Sequence, residues 1–155
     1  MFDDAIATTK LIDKGYQYSK ALSTIAENLA KSGNIARASL VFEDVFTTAK
    51  LINNDFQRSI ALAIIAQKQS KVGKGIEVKS TINAAIASTM LIASSDRSRV
   101  LSDIIKAQAE AGMFDEAIAT TKLIDDRYNH SKLLADIAKI QAETGLFEAA
   151  TTLAK

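Results

Sequence analysis

The chain has no cysteine, no proline and no tryptophan, and only six glycines and one histidine. Each absence excludes something. Without cysteine there is no disulfide scaffold, no thiolate-held zinc or iron–sulfur cluster, and no thiol nucleophile. One histidine excludes multi-histidine metal sites. Proline and glycine punctuate turn-rich β-sandwiches, so their scarcity favours helices. No run of roughly 18 consecutive apolar residues occurs, so no membrane span is expected. The opening MFDDAIATTK carries acids early and lacks a basic stretch followed by an apolar one. No secretory signal is therefore expected, and the expected location is the cytoplasm. Neither sign of charge dominates: 19 basic against 18 acidic side chains leave a net charge of +1. That disfavours a strong non-specific nucleic-acid binder.

What is present is a repeat. Residues 2–33 lie over residues 114–145 without a gap, and 19 of the 32 aligned positions are identical. Phe2-Asp3-Asp4-Ala5-Ile6-Ala7-Thr8-Thr9-Lys10-Leu11-Ile12-Asp13 matches Phe114 to Asp125, differing only at Glu116. Tyr16, Ser19, Lys20, Leu22, Ile25, Ala26 and Gly33 recur as Tyr128, Ser131, Lys132, Leu134, Ile137, Ala138 and Gly145. Residues 42–73 fit the same frame, and residues 82–112 fit it with one deletion. A further copy begins at Phe147. Successive glycines Gly33, Gly73, Gly112 and Gly145 stand 40, 39 and 33 residues apart, because about seven residues are inserted after Gly33 and after Gly73. Seven residues is about two helical turns, so a helix is expected to lengthen there with its buried face kept.

Each unit holds two helical patterns. Phe114, Ala117, Ile118, Thr121 and Ile124 recur at three- and four-residue steps, as do Leu134, Ile137, Ala138, Gln141 and Ala142. Polar breaks separate them: Asn53-Asn54-Asp55, Ser94-Ser95-Asp96 and Asp125-Asp126-Arg127. Asn, Asp and Ser there are expected to cap the next helix, and the closing glycine suits a left-handed turn. The spacing predicts helices over 2–13, 17–32, 35–53, 57–72, 75–94, 97–111, 114–126, 129–144 and 147–154. Helices this short bury one stripe and are marginal alone. Stacked antiparallel pairs bury both stripes, which predicts an all-α fold: an α-solenoid, a right-handed superhelix of about nine helices. One domain is expected over 1–155, with units near 1–16 (partial), 17–56, 57–96, 97–128 and 129–155.

The segment Leu134-x-x-Ile137-Ala138-x-x-Gln141-Ala142-x-x-Gly145-x-Phe147-x-x-Ala150 resembles a tetratricopeptide repeat. Leu22-x-x-Ile25-Ala26 through Gly33, and Leu101-x-x-Ile104 through Gly112-x-Phe114-x-x-Ala117, resemble it too. The resemblance implies that helices ending at the four glycines are first helices of repeats and line a concave groove. Carried over residue by residue, it implies groove positions Lys20, Ser23, Glu27 and Lys31; Ile60, Ala63, Ile64, Gln67 and Lys71. It continues with Arg99, Ser102, Asp103, Lys106 and Glu110, then Lys132, Asp136, Lys139 and Glu143. The family's carboxylate-clamp groove is disfavoured, because Ser23, Glu27 and Ile64 stand at its equivalent positions.

Chemistry has few candidates. No Ser–His–Asp set is possible around one histidine without a nucleophile elbow, and Gly73-Lys74-Gly75 lacks the rest of a phosphate loop. Asp3-Asp4 and Asp125-Asp126 are adjacent on helices and do not face each other, so solvation or capping is expected of them. His130 reads as a surface residue. Tyr16, Phe56 and Tyr128 each precede a serine by three and are expected to pack at the helix corner. The recurring Thr8-Thr9-Lys10 and Thr120-Thr121-Lys122 read as repeat structure. Ile60 and Ile64 lie off the Leu62/Ile65/Ala66 core stripe: exposed, they would anchor a partner's apolar side chain; packed, they would sit under a neighbouring helix.

The expectation is a non-enzymatic scaffold for a protein or peptide, with no cofactor and no metal. A structural module that self-associates through open repeat ends, or is cut from a longer repeat protein, is the second reading. A helical-repeat RNA binder is the third; near-zero net charge and no regular polar code weigh against it.

Overall fold

A computed structural model describes the chain except residues 12, 14, 74, 75, 147–151, 154 and 155 and the side chain of Tyr128. The described residues form eight helices and no strand. They are α1 (Phe2–Thr9), α2 (Tyr16–Lys31), α3 (Ile35–Lys50), α4 (Asp55–Val72), α5 (Lys79–Thr89), α6 (Ser94–Glu110), α7 (Phe114–Thr121) and α8 (Arg127–Glu143). The helix expected over 147–154 falls almost wholly outside the described residues. Helices α2, α4, α6 and α8 pack against one another in succession. Each odd-numbered helix packs on its even-numbered neighbours in the chain, and no comparable packing joins α1, α3, α5 and α7 to one another.

The core lies between the two rows. Leu22, Leu29, Phe42, Leu62, Ile65, Ile82, Leu101, Ile104 and Ile137 are its largest buried side chains. Alanines at 26, 38, 49, 61, 66, 85, 107 and 117 are fully enclosed, which lets helix axes approach closely. In α8 the buried leucine is Leu133, while the expected Leu134 is only half-buried.

Several helix ends differ from expectation, at a common turn that three of them reach through a buried threonine and α3 through Ala49. The odd-numbered helices stop three to five residues early, at Thr9, Lys50, Thr89 and Thr121. Thr9, Thr89 and Thr121 are buried, and each hydroxyl donates to the carbonyl three residues back, of Ile6, Ile86 and Ile118, at 2.7 Å. The chain then tightens into a turn of i to i−3 bonds, such as Leu123 N–H to Thr120 and Ile124 N–H to Thr121. The Leu-Ile pair that reads as one more helical step is this turn.

The four glycines follow the ends of α2, α4, α6 and α8 in the left-handed region, as expected, with φ between 76° at Gly73 and 88° at Gly33. Capping is rarer than expected. Asn54 accepts from the Gln57 N–H, but Ser94 and Ser95 lie inside α6, whose flanking residue is Ala93.

The two insertions have different fates. After Gly33 the extra residues are helical, so α3 has 16 residues against 8 in α7. After Gly73 the expected helix start at 75 is displaced to Lys79. There the Glu77 carboxylate accepts from the Lys79 and Ser80 N–H groups and sets a new start, while Ile76 tucks into the core.

Candidate functional site

The implied groove residues fall on α2, α4, α6 and α8 at matching register. One row is Lys20, Ile60, Arg99 and Lys132; a second is Glu27, Gln67, Lys106 and Lys139; a third is Lys31, Lys71, Glu110 and Glu143. The packing of the even-numbered helices in succession brings these rows onto neighbouring helices.

Their exposure varies. Lys20, Lys31, Lys71, Arg99, Lys106, Lys132 and Lys139 are exposed, as are Glu110 and Glu143. Among the described residues, Lys20, Lys71, Lys106 and Lys132 have no ion-pair partner. Lys139 stands 4.0 Å from Glu143, both in solvent, a pair of little consequence. Ser102, Asp103 and Asp136 are half-buried.

Three expected groove positions are corrected. Ser23 and Ala63 are buried against neighbouring helices. Glu27 is only 5% exposed, and both its oxygens are occupied: Lys31 Nζ donates to one at 2.6 Å and Lys68 Nζ to the other at 2.7 Å. Glu27 therefore ties α2 to α4 and is not free for a partner. Burial raises its pKa, but the hydrogen bonds and positive charges of Lys31 and Lys68 outweigh that and hold the carboxyl below its usual range.

Gln67 donates to the Asp103 carbonyl at 3.4 Å, so these two expected contact residues also link α4 to α6. Arg99 lies over the Phe56 ring, 5.4 Å from its centroid. Phe56 packs on the core, as expected at the corner; Tyr16 is half-buried, and Tyr128's side chain lies outside the described residues. The two isoleucines divide: both are half-buried, but Ile60 packs on the core cluster and Ile64 is not part of it. Asp3 pairs with Arg37, His130 is half-buried near the start of α8, and Lys74 and Gly75 lie outside the described residues.

Charge is distributed by row. Helices α2, α4, α6 and α8 carry eleven lysines and arginines against seven acidic residues. Helices α1, α3, α5 and α7 carry three against six. The near-zero sum hides a basic row and an acidic one.

The register also explains residues to which sequence reading gave no role or, for Gln141, only a place in a helical pattern. Arg58 and Arg97 occupy one repeat position, and each reaches back to the carbonyl that closes the preceding turn, Ile52 at 2.7 Å and Ile92 at 3.0 Å. Gln69, Gln108 and Gln141 share another position; all three are buried, and among the described residues their Oε1 atoms have no hydrogen-bond partner. Recurrence at fixed register was the available signal for both sets. Tyr18, at the arginine position of its own unit, is buried; burial, then the nearby Asp44 charge, raises its pKa.

Among the described residues, no cluster of three or more His, Asp or Glu is placed to hold a metal ion, and no helix is long and apolar enough to cross a membrane. Comparison of the chain with family models, with curated proteins and with solved structures found no match.

Proposed function

We propose that the chain is a non-enzymatic, tetratricopeptide-like α-solenoid that binds an acidic segment of a partner protein along its even-numbered helices. The observation that carries this reading is the cation excess of that row: Lys20, Lys71, Lys106 and Lys132 are exposed, one on each helix, without ion-pair partners among the described residues. Unneutralised cations on successive helices favour an extended anionic partner, steering it from a distance and weakening with salt. Ile64, half-buried and outside the core cluster, supplies an apolar anchor beside them. In this reading the even-numbered helices form the concave face and the odd-numbered helices the convex one. RNA fits less well. Base stacking needs free aromatic faces, and among the described side chains of this row Tyr18 is buried, Tyr16 is half-buried and Phe56 lies under Arg99.

The test is fluorescence anisotropy with three labelled probes: a peptide alternating Glu with Leu, the same peptide with Lys for Glu, and oligouridine. The Glu peptide binds, the Lys peptide does not, and Lys20→Glu with Lys132→Glu weakens binding at least tenfold. Tighter binding of oligouridine would replace this reading with the RNA one. Failure of the Glu peptide, with light scattering showing concentration-dependent self-association, would favour the structural module.

A further inference from the structure

The row of odd-numbered helices has an opening. The ion pair of Arg37 with Asp3 crosses from α3 to α1, and Lys79 faces Glu116 at 4.0 Å from α5 to α7. Between α3 and α5 lies instead a cleft of about 500 Å³. Its origin is the unequal fate of the two insertions. Helix α3 grew by two turns, whereas α5 starts late at Lys79, so the cleft opens beside the long helix and the link carrying Ile76 and Glu77 forms one end.

The lining is specific in character. Phe42 and Phe46 of α3 and Ile76 of the link give it an apolar wall. Glu43 of α3 and Glu77 stand exposed on it, and among the described residues Glu43 has no ion-pair partner. Gln69 of α4 lines it as well, 95% buried, with an oxygen that has no hydrogen-bond partner among the described residues. Lys50 lines the cleft too, and its Nζ lies 4.5 Å from the centroid of the Phe46 ring, so a cationic ligand takes that face only by displacing Lys50.

We infer that this cleft binds the arginine side chain of a partner polypeptide. The chemistry of the lining selects it. The apolar wall takes the three-carbon stem, and the guanidinium plane replaces the Lys50 ammonium on the Phe46 face. Glu43 and the second oxygen of Glu77 pair its charge, and Gln69, by turning its buried amide toward the cleft, supplies an acceptor for one of its five N–H donors. The lining carries two carboxylates against the one ammonium of Lys50, a balance that favours a cation over a carboxylate or phosphate ligand. The size suits one side chain with its flanking backbone, within the usual range of ligand pockets. Gln108 and Gln141 share the repeat position of Gln69 but do not line this cleft, so they serve as internal controls. The inference stands independently of the reading given to the even-numbered row.

The experiment is amide NMR titration of the folded chain with the peptide Ac-Ala-Arg-Ala-NH2, its citrulline counterpart (isosteric but neutral) and its glutamate counterpart. The arginine peptide should give saturable shifts centred on residues 39–50, 69 and 76–81, and the citrulline peptide should bind at least fivefold more weakly. Glu43→Gln and Gln69→Leu should each weaken the arginine peptide at least threefold, while Gln108→Leu leaves it unchanged. Gln69→Leu is checked for an intact fold by its own amide spectrum. The inference is overturned if the arginine peptide gives no saturable shifts or gives them elsewhere. It also fails if citrulline binds as well as arginine, or if Glu43→Gln and Gln69→Leu bind as well as the parent chain.

Discussion

At the scale of single residues, two polar groups inside the fold behave in opposite ways. Glu27 is fully engaged, by Lys31 and Lys68. Removing Lys68, the more enclosed of the two, strands part of a buried charge. Lys68→Met should cost about 1–2 kcal/mol, and Lys31→Met less, because Lys31 is largely in solvent. Urea denaturation of both variants measures this. The Glu27 pKa is lowered on folding, so its contribution is present above its ordinary value of 4.5 and is lost as pH falls through the lower folded value. Urea midpoints at pH 7 and pH 3 should therefore fall further for the parent chain than for Glu27→Gln. The glutamines show the reverse case. A buried acceptor without a partner carries its desolvation cost, so Gln108→Leu should stabilise the fold by about 1 kcal/mol. A loss of stability in that variant would show that the amide is satisfied in solution.

At the scale of elements, the turn after each odd-numbered helix separates two residues that look alike in sequence. Leu51 is 76% exposed and Ile52 7% exposed, although both continue an apolar periodicity. Leu11, Leu91 and Leu123 are likewise exposed, and Ile92 and Ile124 likewise buried. Leu51→Gln should therefore change stability by less than about 0.5 kcal/mol, whereas Ile52→Ala should cost about 2–4 kcal/mol. Chemical denaturation of the two variants, side by side, checks both. The even-numbered helices end differently. Gly112 closes α6 at φ +77° with open space where a side chain would point, so any cost of adding one is backbone strain. Gly112→Ala should lose about 1 kcal/mol, seen as a shifted urea midpoint with an unchanged slope.

At the scale of the whole molecule, the division of charge between the two rows matters more than its sum. Binding of an acidic partner to the even-numbered row should weaken at least tenfold between about 50 and 300 mM salt, because exposed cations are screened within about 10 Å at 0.1 M. Anisotropy titrations across that range measure the slope. An arginine in the α3–α5 cleft should respond less, since part of its binding is apolar contact with Phe42 and Phe46.

The all-helical class was legible in the sequence, because helix periodicity, glycine stops and a repeat covering most of the chain are local and additive signals. Register also placed the candidate residues at equivalent positions of α2, α4, α6 and α8, but not their exposure: Ser23, Glu27 and Ala63 are buried. What lay outside the sequence was anything decided by a second helix. Glu27 read as a groove residue until Lys68 arrived from a helix about forty positions away. Val78 and Ile76 continued a helical pattern until Glu77 started α5 anew. The sequence by itself determined which segments are helical and which residues share a face, since those depend on neighbours three and four positions along. The tertiary structure alone decided which polar groups are occupied and where the odd-numbered row opens. Those depend on distances between helices, which no periodicity encodes.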